Sequence, residues 1–349
     1  MKARILYDVR YLTLEGRVAI QHPHFTVSND NAIRDTFYTK NVIKNYGANI
    51  KEYNKDNAFI YSETEIDTKN KTVDQINNEL LAWASSNLDH VLNFLIFLWL
   101  TKDNSILVYG SLIMIPGIKK CLIHSNIKSV TYTCDGKVRQ THFSRSEMQY
   151  AIDIYQKYAE ISTVSDSGVH LNAAKIEIHK DENGRFKFAT EDKTDVRKYS
   201  SYNCIDRSIH FLHIARRERL PAFKISFYVP ILESLFTTDS FAVTHKVCER
   251  VSLYLEQEKE KREELYDFIN KVYQTRSTFL HGQKFSEDAL NEIVQNDHAV
   301  RLDEIVRASL LMIMLCDYEI FTGLKPKGNS LKKTIEIRSD FLKYLMFNP

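Results

Sequence analysis

Glycine is scarce in this sequence, 10 residues in 349, and none falls in a GxGxxG or Walker-type pattern. That excludes the common phosphate-cradling loops, and with them nucleotide hydrolysis by those routes. Cysteine is sparse as well: Cys121, Cys134, Cys204, Cys248 and Cys316 are scattered, odd in number and include no CxxC pair. No zinc site, other metal or cofactor is expected from them, and free thiols suit a reducing cytoplasm. An excess of either charge is also missing, because 47 Lys and Arg against 45 Asp and Glu leave only +2. Any contact with RNA or DNA must therefore be a local patch. Long apolar runs are absent too. The most hydrophobic stretch, Val91 to Leu100, contains Asn93 and is about half a membrane span, so a buried helix is expected and no membrane partner. The opening MKARILYDVR carries charges inside its apolar run, unlike a secretory signal.

What is present is ordinary for a globular protein, 44% apolar and 26% charged residues, in a chain long enough for two domains. Alternating segments at Arg4 to Leu12 and Ala58 to Ile66 predict strands. Thr72-Val-Asp-Gln75 is a capping box that opens a long helix running to Leu100, and Ser144-Arg-Ser-Glu147 opens another that ends near Ile161. Between them lie a strand over Ser105 to Ile115 and a hairpin, Val130 to Cys134 and Val138 onward, turning at Asp135-Gly136. A further hairpin turns at Asn183-Gly184. Strand signals stop in the polar stretch Thr190 to Ser201, where a boundary between a 1–200 domain and a 201–349 domain is placed. Five helices follow, roughly 202–218, 221–236, 242–256, 259–281 and 298–322, with an amphipathic piece at 335–346. Short connections favour an antiparallel bundle. The fold class is α+β: a mixed strand and helix N-terminal domain, then an all-α bundle.

The chemistry concentrates in Leu265 to Gly282. Leu265, Phe268, Ile269, Val272, Tyr273, Phe279 and Leu280 recur at helical spacing, and Arg276 falls on the same stripe. Gly282 ends the helix, which leaves His281 at or near its last position, where the helix dipole favours an imidazolium. R-x4-H spacing alone carries little, since roughly two pairs with similar gaps arise by chance at this composition. Arg17 with His22 or His24, and Arg207 with His213, are other examples. Only Arg276 and His281 combine a stripe position, a helix end and a following glycine.

FKISFYVPILESLF (Phe223 to Phe236), THKVCERVSLYL (Thr244 to Leu255) and VYQTRSTFLHG (Val272 to Gly282) together resemble an Apea-like HEPN domain over about 120 residues, Tyr202 to Gly323. The resemblance implies a helical bundle that dimerises, so that two copies of the Arg/His motif form one metal-independent RNase cleft. It assigns the motif to Arg276 and His281. Ser277 stands after the arginine, where many members carry Asn, Asp or His. It also implies antiviral defence or a toxin role, RNA as substrate, a homodimer, and a phage-derived trigger or an inhibitory partner.

His and Arg suffice for that chemistry. An imidazole titrating near neutrality can move the 2′-hydroxyl or leaving-group proton, while a guanidinium neutralises the pentacoordinate phosphate. One chain offers one such histidine, so separate acid and base require two chains. Ser277, Glu233 and Tyr273 are supporting candidates, Glu233 as the carboxylate that orients Arg276. Arg216, Arg217, Arg219 and Arg250 are candidates to bind RNA, although a run such as 216–219 is ordinarily a solvated helix terminus. The competing account makes Arg276 a structural ion pair and His281 a cap, in a non-catalytic helical module for RNA or phosphate binding or for dimerisation. Asp206, His210 and His213 share a helix, yet lack a fourth ligand and are expected to be satisfied or exposed. Met312, Met314 and Leu315 are expected in a buried helix.

Overall fold

A computed structural model describes residues 1–47, 57–116, 118, 122–126, 130–163, 176–180, 186–190, 202–284, 287, 298–322 and 344. The chain is α+β: an antiparallel sheet with helices, followed by an all-helical region. Six strands, β1 (Lys2–Arg10), β3 (Ala19–His22), β4 (Phe25–Ser28), β5 (Phe59–Glu65), β6 (Leu107–Met114) and β7 (Leu122–Asn126), pair in the order β3-β4-β5-β1-β6-β7. β2 (Leu12–Leu14) pairs in parallel with β8 (Thr141–Phe143). β9 (Ile176–Lys180) and β10 (Phe186–Thr190) pair antiparallel as expected, while their turn lies outside the described residues.

Strand alternation sorts the sheet's two faces. Ala3, Ile5, Tyr7 and Val9 of β1 join the main core, whereas Leu6, with Phe59, Leu112 and Met114, faces a second cluster. That second face is covered by Phe37, Tyr38 and Val42, carried on and between two short helices that the sequence pattern did not reveal, α1 (Asn31–Asp35) and α2 (Lys40–Tyr46). Each is too short for a periodic signal and starts at a side-chain cap, Asp30 or Thr39.

Both predicted capping boxes form. They open α3 (Val73–Thr101) and α4 (Arg145–Ile161). The first half of α3 is amphipathic, with Ile76, Leu80 and Ala84 turned inward, but from Val91 to Leu100 nearly every side chain is buried. Here α3 meets α4, α5 (Cys204–Arg217) and α9 (His298–Met312). Among the described residues, no helix is long and apolar enough to cross a membrane.

The predicted hairpin at Asp135-Gly136 keeps its turn, with Gly136 at φ +76°, but loses its strands. The flanking backbone bonds elsewhere: Tyr132 N–H donates to the carbonyl of Arg216, and Thr131 Oγ1 to that of Ile106.

The helical region continues with α6 (Pro221–Phe236), α7 (Val243–Leu255) and α8 (Lys259–Leu280). α6 is apolar on nearly all sides and touches α5, α7, α8 and α9, so it forms the centre of the bundle. After α9 the chain widens into a π-helical turn, Ile313–Asp317, before α10 (Tyr318–Thr322). The expectation that the methionine run is buried is corrected. Met314 is buried, but Met312 and Leu315 are exposed, because they continue the outer face of Glu304 and Ala308 at helical spacing. The expected 335–346 helix lies outside the described residues apart from Tyr344.

Candidate active site

α8 packs against α6 and α7 and buries Leu265, Phe268, Ile269, Val272 and Tyr273, the positions that its period predicts. One turn beyond Val272 the stripe delivers Arg276 to Glu233 of α6. Arg276 Nη1 lies 3.4 Å from Glu233 Oε1, and the Tyr273 hydroxyl donates to the same oxygen at 3.2 Å. Burial, then the Glu233 charge, holds the Tyr273 phenol well above its usual range, so it remains a hydrogen-bond donor. Arg276 Nε is shielded from solvent and has no partner among the described residues. The guanidinium is therefore oriented by one carboxylate oxygen but not consumed by it.

The helix then ends as the glycine requires. His281 is the cap residue, Gly282 adopts φ +66°, Gly282 N–H donates to Phe279 O and Gln283 N–H to Thr278 O. This is a Schellman arrangement, whose left-handed position suits glycine. His281 and Ser277 are exposed. His281 is five positions after Arg276, which is about 140° around the helix axis and about 7.5 Å along it. The imidazole thus leaves α8 on a different side from its own guanidinium.

The candidates for RNA binding divide. Arg217 and Arg219 are exposed at the end of α5. Arg216 is not a surface arginine: it is 1% exposed, and Nη2 donates to the carbonyl and Oδ1 of Asn104 at 2.9 and 3.0 Å. Arg250 is likewise interior, 4% exposed, with Nη1 on the carbonyl of Phe236 at 2.6 Å. Both expectations are corrected for one reason. A guanidinium on the inner face of an amphipathic helix satisfies the carbonyls of a neighbouring element and cannot reach a phosphate.

Asp206, His210 and His213 do not gather around a metal position. Asp206 is fully buried and accepts from Tyr158, Ser162 Oγ, Thr163 and the Asn203 backbone, which ties the end of α4 to the start of α5. Sequence reasoning missed this hub, although Asn203 and Asp206 form a capping box that could have marked it. His213 is bonded through Nε2 to Asn93 Oδ1 at 3.1 Å, and burial lowers its pKa to about 3.

Tertiary packing brings together another group with ligand chemistry, Asp103, Cys134 and Asp303, within 4.8 Å. Asp303 Oδ1 already accepts from Trp99 Nε1 and Tyr228 OH, its Oδ2 from Arg307, and burial with the two carboxylates pushes the Cys134 thiol far up. With the Arg216 and Arg307 charges acting on Asp303, the group is a compensated buried network that disfavours a further cation.

Compared with protein-family models, with curated proteins and with solved structures, the chain matches none. The family resemblance therefore stands on its three stretches of sequence.

Proposed function

We propose that the protein is a metal-independent endoribonuclease in which Arg276 stabilises the phosphorane charge and His281 transfers protons, in a cleft completed by a second copy of the chain. The observation that carries this reading is the end of α8. A guanidinium is aimed by Glu233 and Tyr273 with Nε still unpartnered, and an exposed imidazole follows at a helix stop.

The divergence of the two side chains around α8 supports a composite site. A single chain presents its Arg276 and its His281 on different sides, whereas two helices brought end to end supply two imidazoles, one as base and one as acid. Leu280, 56% exposed beside His281, gives such a meeting an apolar contact. In-line attack by the 2′-hydroxyl leaves a 2′,3′-cyclic phosphate and a 5′-hydroxyl. Arg276 would hold two phosphate oxygens in its fork at any relevant pH. The resemblance adds a cytoplasmic setting in antiphage defence or as a toxin.

The test is cleavage of total bacterial RNA in excess EDTA by the wild type, Arg276→Ala and His281→Ala. Turnover by the wild type should fall about a hundredfold or more in each variant, with melting temperatures unchanged for the exposed His281. Equal cleavage by all three proteins would sink the assignment. Retained RNA affinity with no turnover in the wild type would favour the non-catalytic phosphate-binding module.

A further inference from the structure

At the junction of the sheet region and the bundle, the turn Thr133 to Lys137 is pressed onto the end of α5. Tyr132 N–H bonds the Arg216 carbonyl, and Lys224 Nζ donates to the carbonyls of Tyr132 and Ala215 from beneath. The approach is so close at Gly136 that a Cβ there would overlap the carbonyl oxygen of Arg219. From this contact of Gly136 with Arg219, the exposed cations Lys137 and Arg139 lie one and three residues along the turn, and exposed Arg217 lies two residues back along the chain from Arg219. Asp135 pairs with both Lys137 and Arg139, but these are exposed ion pairs, and one carboxylate offsets only one of the two charges. Arg217 and Arg219 have no partner among the described residues. With Glu218 included, four cations stand against two carboxylates.

This rim does not end in isolation. The chain passes from Arg219 through Leu220 into α6, where Phe223, 38% exposed, meets Phe279 edge-on at 4.7 Å. Phe279 is two residues before His281. Basic side chains are thus followed by an exposed aromatic ring and then by the imidazole.

We infer that Lys137, Arg139, Arg217, Arg219 and Phe223 form the surface that receives single-stranded RNA and leads it to His281. The N-terminal region thus contributes two of the cations. This rests on the endoribonuclease reading for its direction toward His281, but not for the binding itself. Cations spread along a rim follow a phosphate backbone, and a ring exposed beside them stacks on a base. Only an unpaired strand presents base faces, so the partner is single-stranded RNA and not duplex.

The experiment measures fluorescence anisotropy of a fluorescein-labelled, mixed-sequence single-stranded RNA with full-length His281→Ala, which cannot cut it. Lys137→Ala with Arg139→Ala should weaken binding roughly tenfold and reduce the log-log salt slope by about 1.4, the value for two lost phosphate contacts on a single strand. Arg217→Ala with Arg219→Ala should do the same. Phe223→Leu keeps the apolar contact with Phe279 and should cost roughly fivefold or more. Affinity and salt slope unchanged in both double variants, or equal binding of the same sequence as a duplex, overturns the inference. Wild-type cleavage that depends on Arg276 and His281 but ignores the rim variants leaves the nuclease and removes the rim. Binding through the rim by a protein that never cuts does the reverse.

Discussion

Glu233 is the residue on which the candidate site turns, because it is the one acceptor shared by Arg276 and Tyr273. Tyr273→Phe removes a donor from a carboxylate that retains the arginine, a loss of about 1 kcal/mol in stability. Glu233→Gln keeps the shape but removes the charge that orients the guanidinium. If Arg276 works on phosphate, Glu233→Gln should lower kcat on RNA at least several-fold while the melting temperature moves by only a few degrees. A phosphate-binding arginine that Glu233 merely restrains would bind RNA more tightly in this variant, with no turnover to lose. Parallel kinetics and anisotropy separate the two.

Among the elements, α8 carries the clearest division between packing and chemistry. Its first four turns are held on α6 and α7 by an apolar stripe, and its last residues are released by the left-handed Gly282. A Cβ at Gly282 meets nothing within 4 Å, so Gly282→Ala suffers only backbone strain, about 1 kcal/mol. The expected outcome is a folded protein whose helix end frays or extends, seen as a small change in thermal midpoint and a larger loss of turnover because His281 is no longer held at its angle. A loss of several kcal/mol would show that the terminus is packed more tightly than this structure has it.

Across the whole molecule, one apolar cluster runs from β1 through α3 into the bundle, and polar bonds cross with it: Trp99 to Asp303, Asn93 to His213 and Asn104 to Arg216. Two of the buried histidines make this assembly acid-sensitive. His213 is held at about 3 and His90 at about 4, chiefly by burial, whereas both titrate near 6.5 in the unfolded chain. The unfolded state therefore takes up protons first. Their contribution is intact above about pH 6.5 and is lost as the pH falls toward 3 and 4. Between pH 7 and 5 the cost is about 2 kcal/mol for each. Melting temperatures recorded across that interval should fall steeply, and His213→Gln should flatten the slope. An unchanged slope would mean that His213 is protonated in the fold or solvated.

Sequence by itself determined what depends on neighbours along the chain. The capping boxes at Thr72 and Ser144, the period of α8 and the stop at Gly282 are local, since their hydrogen bonds close within a few residues, and the alternation of β1 and β5 is a period along each strand although their ladder joins residues far apart in sequence. Arg276 and His281 were legible because a charge on an apolar stripe and a histidine before a helix-ending glycine are anomalies of pattern. Only the tertiary structure decided which basic residues are surfaces. Arg216 and Arg217 are adjacent and chemically identical, yet one bonds Asn104 in the interior and the other faces solvent. The same holds for Lys137 and Arg139, which acquire a role only because Gly136 lets their turn lie against α5. Burial, and the pairing of a charge, are properties of elements far apart in sequence, and no local period encodes them.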